Sequence, residues 1–465
     1  MSIRSLLLIV LLLGACDQPV GANANADAAP VSERPSPLIG LANSDPAQQL
    51  GAIERIDREW QPRYVPALLE YISLGIVPAL QHRAMEVLRK RTSEDFGYDL
   101  NAWFAWVWRQ DFKHQGDYAD FKSSLYRIID PRFGGYFAAD RQSAIRLDEV
   151  RWGGVRQDGI PPLRQPNMIA ASEATYLANR DVVFGIEVEG TAYAYPKRIL
   201  AWHEMFVDTL GGVPLAGVYC TLCGSMILYE TNTDGVQHEL GTSGFLYRSN
   251  KLMYDRKTQS LWNTLWGTPA IGPLVGEDIR LKRRSVVTTT WDEWRRRHPE
   301  TQVLSLDTGF NRDYGEGVAY RDYFSDDELM FNTSQVDHRL ANKAEVLGLV
   351  FPDQDAPPLA VAAEYARKHP LIHERVGTRE IVVLTDRSGA MRAYRADDVR
   401  FVAWDGDRDV VDEQGRTWTL SEERLATGDE VRQRLPSHSA FWFGWYGAYS
   451  NTRLLHEASG SNPEV

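Results

Sequence analysis

The chain has 465 residues, a formal net charge of −12 and three cysteines. At roughly 100–200 residues per domain, this length makes about two to four units. The acidic balance, with no dense basic run, excludes a general nucleic-acid binder, and so few cysteines exclude a disulfide-stapled secreted scaffold.

Arg4 precedes the apolar run Leu6 to Leu13, followed by Gly14-Ala15-Cys16. This is the layout of a secretory signal: a charged start, a short apolar stretch, then small residues. The run is too short for a standard membrane-spanning helix. Leu13-Gly14-Ala15-Cys16 resembles a bacterial lipobox, which implies that Cys16 is lipidated and becomes the mature N-terminus of a lipoprotein. Residues 1–16 are then the signal region, and the lipid is the contact with the membrane. The expected location is the cell envelope, on a periplasmic or extracytoplasmic face. Asp17 resembles the inner-membrane retention signal of some Gram-negative lipoproteins.

Residues 17–45 are rich in Ala, Asn, Pro and Ser without apolar periodicity and read as a disordered tether. Over 46–125 apolar residues recur at helical spacing, as in Pro66-Ala-Leu-Leu-Glu-Tyr-Ile and Ala79-Leu-Gln-His-Arg-Ala-Met-Glu-Val-Leu. Trp103, Trp106 and Trp108 follow on a further helix and read as core. This stretch resembles one or two HEAT-like repeats, which implies packing on a neighbour or on an envelope protein partner.

From about residue 126 the pattern changes to short strands and turns. Val183 to Tyr195 alternates around Glu189-Gly190 and predicts a hairpin. Pro214 to Tyr219 and Ser225 to Tyr229 predict strands flanking Cys220-Thr-Leu-Cys223-Gly224. Asp255 to Trp262 predicts a turn entering a strand. Thr290-Trp-Asp-Glu293 has capping-box spacing ahead of a short helix that Pro299 ends.

Landmarks recur in order along this region. Val183-Phe-Gly-Ile is answered by Val346-Leu-Gly-Leu, and His203-Glu204 by His373-Glu374. Gly224-Ser-Met-Ile-Leu-Tyr229 is answered by Gly389-Ala-Met-Arg-Ala-Tyr394, Asp255–Trp262 by Asp412–Trp418, and Trp291–Leu304 by Phe441–Leu455. The expectation is an internal duplication over roughly 183–304 and 346–455. The fold class is therefore α+β, mainly β. Two related β-rich lobes, 126–345 and 346–457, follow a small N-terminal helical segment, and 458–465 is a tail. The second lobe has Thr385-Asp386-Arg387-Ser388 where the first has its cysteines.

A strand, then Cys-x-x-Cys-Gly, then a strand is the shape of a metal knuckle, with glycine supplying positive φ. The other readings of Cys220 and Cys223 are a redox dithiol and a local disulfide. A redox pair usually sits where a helix begins and lowers the thiol pKa, whereas Ser225 onward reads as strand. His203 is the leading third ligand, and Glu204 would orient its imidazole or act as a base. His203 has a second reading as a buried structural histidine. Two thiolates and an imidazole suit one transition metal ion: zinc, copper or iron. His238, beside the turn Asp234-Gly235, is expected to face solvent. Asp255 reads as a turn-stabilising aspartate beside Met253 and Arg256, and Asn311-Arg312-Asp313 as a structural loop pair. The hydrolase elbow, phosphate loop, zincin and haem-attachment motifs are absent.

Residues from about 150 to 455 resemble bacterial domain-of-unknown-function family 3179. The matching strings are Asp158-Gly-Ile-Pro161, Ala192-Tyr-Ala-Tyr-Pro196, Trp202-His203-Glu204, Gly211-Gly212, Tyr219-Cys-Thr-Leu-Cys-Gly224, Leu252-Met-Tyr-Asp-Arg256, Ser260-Leu-Trp262, Thr308-Gly-Phe-Asn-Arg-Asp-Tyr314 and Phe441-Trp-Phe. The chain departs from the family pattern at Thr221, where proline is usual, and at His338, where an acidic residue is usual. The resemblance implies an extracytoplasmic location and brings no established reaction. Two function classes follow: a membrane-anchored metal-binding or redox protein, and a non-catalytic envelope module with a local disulfide and a partner-binding helical segment.

Overall fold

Local chemistry sets the ends of the first helices. Asp45 caps Pro46–Arg58 by accepting the Ala47 N–H at 2.9 Å, and Asp99 caps Leu100–Trp108 by accepting that of Ala102 at 3.0 Å. Gly75, at φ +58°, closes Val65–Leu74. The computed structural model describes residues 35–112, 116–353 and 355–457. The signal segment with Cys16, most of the expected tether and the tail all lie outside the described residues.

Helices Pro37–Leu41, Pro46–Arg58, Val65–Leu74, Pro78–Thr92, Leu100–Trp108 and Gly116–Arg127 precede the first strand. The first of them lies within the stretch expected as tether. Five residues are too few to display a period, yet Leu38 and Leu41 bury into one core with Ile53, Leu68 and Trp103. Trp103 and Trp108 are buried core residues, and Trp106 packs against the same core from a partly buried position. Inside this core Lys122 pairs with Glu70, whose carboxylate also accepts Tyr118 at 2.9 Å and Tyr126 at 2.6 Å. The Lys122 ammonium also donates to the Val150 carbonyl at 2.9 Å, which ties the helices to the strands that follow.

Strands predominate after residue 150. In one sheet Val182–Val188 lies between Val287–Thr290 and Thr191–Pro196, both antiparallel to it, and Gln302–Leu304 runs parallel to Thr191–Pro196. Another sheet repeats that order: Glu345–Leu349 lies between antiparallel Ser437–Phe441 and Leu359–Ala362, and Arg453–Leu455 runs parallel to the latter. A helix follows the equivalent strand in each, Trp291–Arg297 in one and Trp442–Ala448 in the other. Close packing recurs as well. A Cβ on Gly185 would lie 2.3 Å from the Trp294 ring, and one on Gly348 would lie 2.1 Å from that of Trp445. The Trp294 indole donates to Thr301 Oγ1 at 2.9 Å, and that of Trp445 to Thr452 Oγ1 at 3.0 Å.

Hairpins stand beside each of these sheets. Met205–Leu210, Val213–Cys220 and Ser225–Glu230 pair in sequence, as do Leu371–Val376, Arg379–Thr385 and Met391–Arg395. Trp262 and Trp418 each sit inside a meander, opposite Met253 and Val410. One pair of landmarks does not coincide. His203 ends the helix Lys197–His203, whereas His373 lies in a strand opposite Val382. From Pro37 onward the chain forms one compact unit. Among the described residues no helix is long and apolar enough to cross a membrane.

Candidate dithiol site

Cys220 ends one strand of an antiparallel hairpin and faces Ser225, the first residue of the next. Thr221 to Gly224 form the connecting turn, with Gly224 at φ +57°. Strand, not helix, follows Cys223. The turn is held from outside: the Phe441 N–H donates to the Cys223 carbonyl at 2.7 Å, and the Tyr323 hydroxyl to that of Leu222 at 2.8 Å.

Both cysteines are buried free thiols, and their surroundings separate them. Cys220 is drawn below the ordinary thiol value. Burial opposes this most strongly, as does the Glu204 charge. The hydrogen bond from Cys223, the Lys251 backbone N–H and the Lys251 ammonium together outweigh that opposition. Burial, and then the neighbouring Cys220 sulfur, push Cys223 well up. Cys223 thus favours the thiol form, and its sulfur stands 3.4 Å from the Ser249 carbonyl as a donor. The Asn250 amide donates to the Cys223 sulfur at 3.3 Å.

Ser249 reaches this position on a strained turn. Arg248 and Ser249 form a two-residue hairpin loop with φ +50° and +62°, a conformation in which Asn-Gly is preferred. Non-glycine residues in this region cost about 1–3 kcal/mol each. Arg248 is fixed there by Glu149 and by the Gly447 carbonyl at 3.1 Å.

Glu204, at φ +54°, terminates the helix Lys197–His203 in the left-handed region. Its carboxylate accepts Thr221 at 3.1 Å and Tyr320 at 3.3 Å and pairs with Lys251 at 2.6 Å. His203 serves a different neighbourhood. Its Nδ1 donates to the Pro161 carbonyl at 2.9 Å, leaving Nε2 to accept the Tyr314 hydroxyl at 2.6 Å. Burial, with a smaller push from Arg312, lowers its pKa against the Pro161 hydrogen bond, which favours the neutral ring this arrangement requires. Cys220, Cys223 and Glu204 therefore share one site, while both imidazole nitrogens of His203 are engaged elsewhere. Among the described residues no group of three or more His, Cys, Asp and Glu side chains is placed to hold a metal ion.

His238 corrects an expectation. It is buried, with Nδ1 3.4 Å from Asp255 Oδ2 and its ring against Trp262. Asp234-Gly235 does turn the chain, but the following strand carries His238 back into the core. Asp255 accepts the N–H groups of Lys257 at 2.9 Å and Thr258 at 2.8 Å. Met253 is buried opposite Trp262. Asn311, Arg312 and Asp313 are exposed, as is His338.

Cys220 lines a cavity whose lining does not include Cys223. A space of about 60 Å³ is lined by Cys220, Lys251, Glu204 and Tyr320 on its polar side and by Leu222, Phe245 and Phe331 on its apolar side. Its rim is marked by Met330, which is 50% exposed. Cys223 lies on the sealed side, against Gly444. A Cβ there would stand 2.8 Å from Cys223 Cβ and 3.0 Å from its sulfur. Gly444→Ala is therefore expected to cost about 1–3 kcal/mol by overpacking. It should also change the alkylation rate of Cys220 by displacing its hydrogen-bond donor. Urea denaturation and timed alkylation check the two effects; an unchanged midpoint with an unchanged rate would mean the contact relaxes freely.

Lys251 and Tyr320 were not singled out from sequence. Lys251 directly precedes the recognised string Leu252 to Arg256, and its adjacency to Asn250 in the hairpin is the only local signal.

The family model described as a protein of unknown function (DUF3179) matches residues 157–452, and the chain belongs to that family. No curated protein and no solved structure matches the chain.

Proposed function

We propose that the chain is an envelope lipoprotein, anchored through Cys16, whose Cys220–Cys223 pair is a redox-active dithiol with Cys220 as the attacking sulfur. One observation carries this reading: Cys220 lines the cavity beside Lys251, while Cys223 is packed against Gly444 away from it. The anchor is supported by the lipobox-like string, and an extracytoplasmic compartment is where protein disulfides persist. The order of strand pairings around Trp294 and Trp445 supports reading the second lobe as a duplicated copy without thiols.

The co-reactant is a low-molecular-weight disulfide, since a cavity of about 60 Å³ admits a small reacting group. The Cys220 thiolate attacks one sulfur of that disulfide, the bond between its sulfurs breaks, and the departing sulfur takes the proton released by Cys223. Cys223, now a thiolate, attacks Cys220 and expels the second substrate sulfur, which takes a proton from solvent. The substrate gains two electrons and two protons, and the protein is left with a Cys220–Cys223 disulfide.

Alkylation with iodoacetamide, followed by mass spectrometry across a pH series, tests the assignment. Cys220 should react with an apparent pKa below the free-thiol value of about 8.5, and Cys223 only much higher. Exposure to oxidised glutathione should remove two hydrogens from the wild type and none from Cys220→Ser. Equal, slow reaction of both thiols would overturn the reading. So would stoichiometric metal on protein purified under reducing conditions, which would make the pair a metal site.

A further inference from the structure

A second cavity, of about 150 Å³, lies near the cysteine turn and is bordered by Tyr219, Lys197, Arg367 and Phe441. One of its polar groups lacks the partner its burial calls for. The Tyr219 hydroxyl is buried and finds no hydrogen-bond partner among the described residues, whereas buried polar groups are paired as a rule. The half-buried Lys197 makes no hydrogen bond or ion pair among the described residues, and its ammonium stands over the Phe324 ring at 4.6 Å.

Arg367 enters beside Gly389, where a Cβ would lie 3.2 Å from its Nε, so the missing side chain leaves room for the guanidinium. Glu345, the carboxylate on this wall, stands 3.9 Å from Arg367, and both are exposed. Glu345 and Glu316 both act on the Lys197 charge, but Glu316 is itself paired with Arg198 at 3.0 Å, which leaves Glu345 as the one carboxylate lining the cavity beside Lys197 and Arg367. The opposite side is apolar, with Phe184 packed 4.9 Å from the Tyr219 ring and Phe441 beside it. Burial, then the charges of Cys220 and Glu204, raise the Tyr219 pKa well up, so it remains a donor.

We infer that this cavity binds a small organic anion. Its carboxylate or phosphate group accepts the Tyr219 hydroxyl and sits at Lys197 and Arg367, and its apolar part lies against Phe184 and Phe441. Charge-assisted hydrogen bonds to an oxyanion are the strong ones, and one here would give the Tyr219 hydroxyl the partner it lacks beside the Lys197 charge. The cavity is separate from the one that Cys220 lines, so an anion bound here does not contact the thiol pair.

Isothermal titration of the whole mature protein with inorganic phosphate, acetate and benzoate provides the test. At least one probe should saturate one site. Tighter binding of benzoate than acetate would mark an organic carboxylate, and phosphate as the tightest probe would mark a phosphate group. Lys197→Met should weaken binding by about tenfold or more, Tyr219→Phe by about threefold, and Lys197→Arg should keep most of it. Cys220→Ser should still bind, as tightly as the wild type or more so because a negative charge near Tyr219 is gone, which separates this result from the fate of the redox reading. If Lys197→Met fails to fold, Tyr219→Phe decides, since it removes one oxygen only. The inference is overturned if no probe saturates the wild type, or if the folded variants bind unchanged.

Discussion

Replacing Arg392 by leucine should destabilise the protein by about 3–5 kcal/mol, the cost of removing one partner from a buried ion network. Its side chain is 1% exposed, donates from Nη1 to Asp386 Oδ2 at 2.8 Å and from Nε to Glu422 Oε1 at 2.8 Å. Arg434 pairs with the same glutamate, and Arg297 stands 3.5 Å from Asp386. Without Arg392, two buried carboxylates lose their shared cation and water cannot replace it. The pH dependence follows from Glu422. Burial alone would raise its pKa, but the charges of Arg392 and Arg434 hold it well below the carboxylate range. A depressed folded value contributes stability that is present above the unfolded value of about 4.3 and is lost as pH falls through the folded one. The Arg392→Leu penalty should therefore be full at neutral pH and shrink below about pH 4, where the variant's carboxylate can protonate. Urea midpoints at the two pH values measure this. A neutral-pH difference below about 1 kcal/mol would mean the network contributes little.

Cys223→Ser should turn a transient adduct into a stable one. In the proposed reaction the mixed disulfide on Cys220 would be resolved by the neighbouring Cys223 sulfur. A serine hydroxyl cannot attack a disulfide at neutral pH, so release must await uncatalysed exchange, which takes minutes to hours. The adduct should appear on intact-mass analysis after brief treatment with oxidised glutathione and vanish on reduction. Cys220→Ser should form none, since its remaining thiol is sealed and protonated. Trapping by Cys220→Ser in place of Cys223→Ser would reverse the roles of the two sulfurs.

What was legible in the sequence depended on how local its cause was. The strands around Cys220-Thr-Leu-Cys223-Gly224, the Glu189-Gly190 hairpin turn, the Thr290 cap and the Asp255 turn each involve residues a few positions apart. Propensity and turn chemistry speak directly at that range. Val183-Phe-Gly-Ile and Val346-Leu-Gly-Leu were also visible, because a glycine that admits a tryptophan ring leaves a fixed pattern in the chain. The site itself was harder. His203 and Glu204 are adjacent in sequence, but the left-handed turn at Glu204 sends the two side chains to separate partners. Lys251 and Tyr320 join Glu204 from 47 and 116 positions away, distances at which a single sequence carries no contact information. His238 followed a correctly placed turn, but only packing against Trp262 decides that it is buried.

The roof of the thiol pair comes from the far end of the chain. Phe441 donates its N–H to the Cys223 carbonyl, and Gly444 lies directly on the Cys223 side chain, more than two hundred residues downstream. The environment of the two thiols thus cannot be assigned to the segment around them alone. A fragment ending near residue 345 would keep both thiols yet lose the surface that makes them unequal. With its cover gone, Cys223 would meet water like its neighbour. On the proposed dithiol reading, the far end of the chain thereby helps to determine which of two identical atoms reacts first.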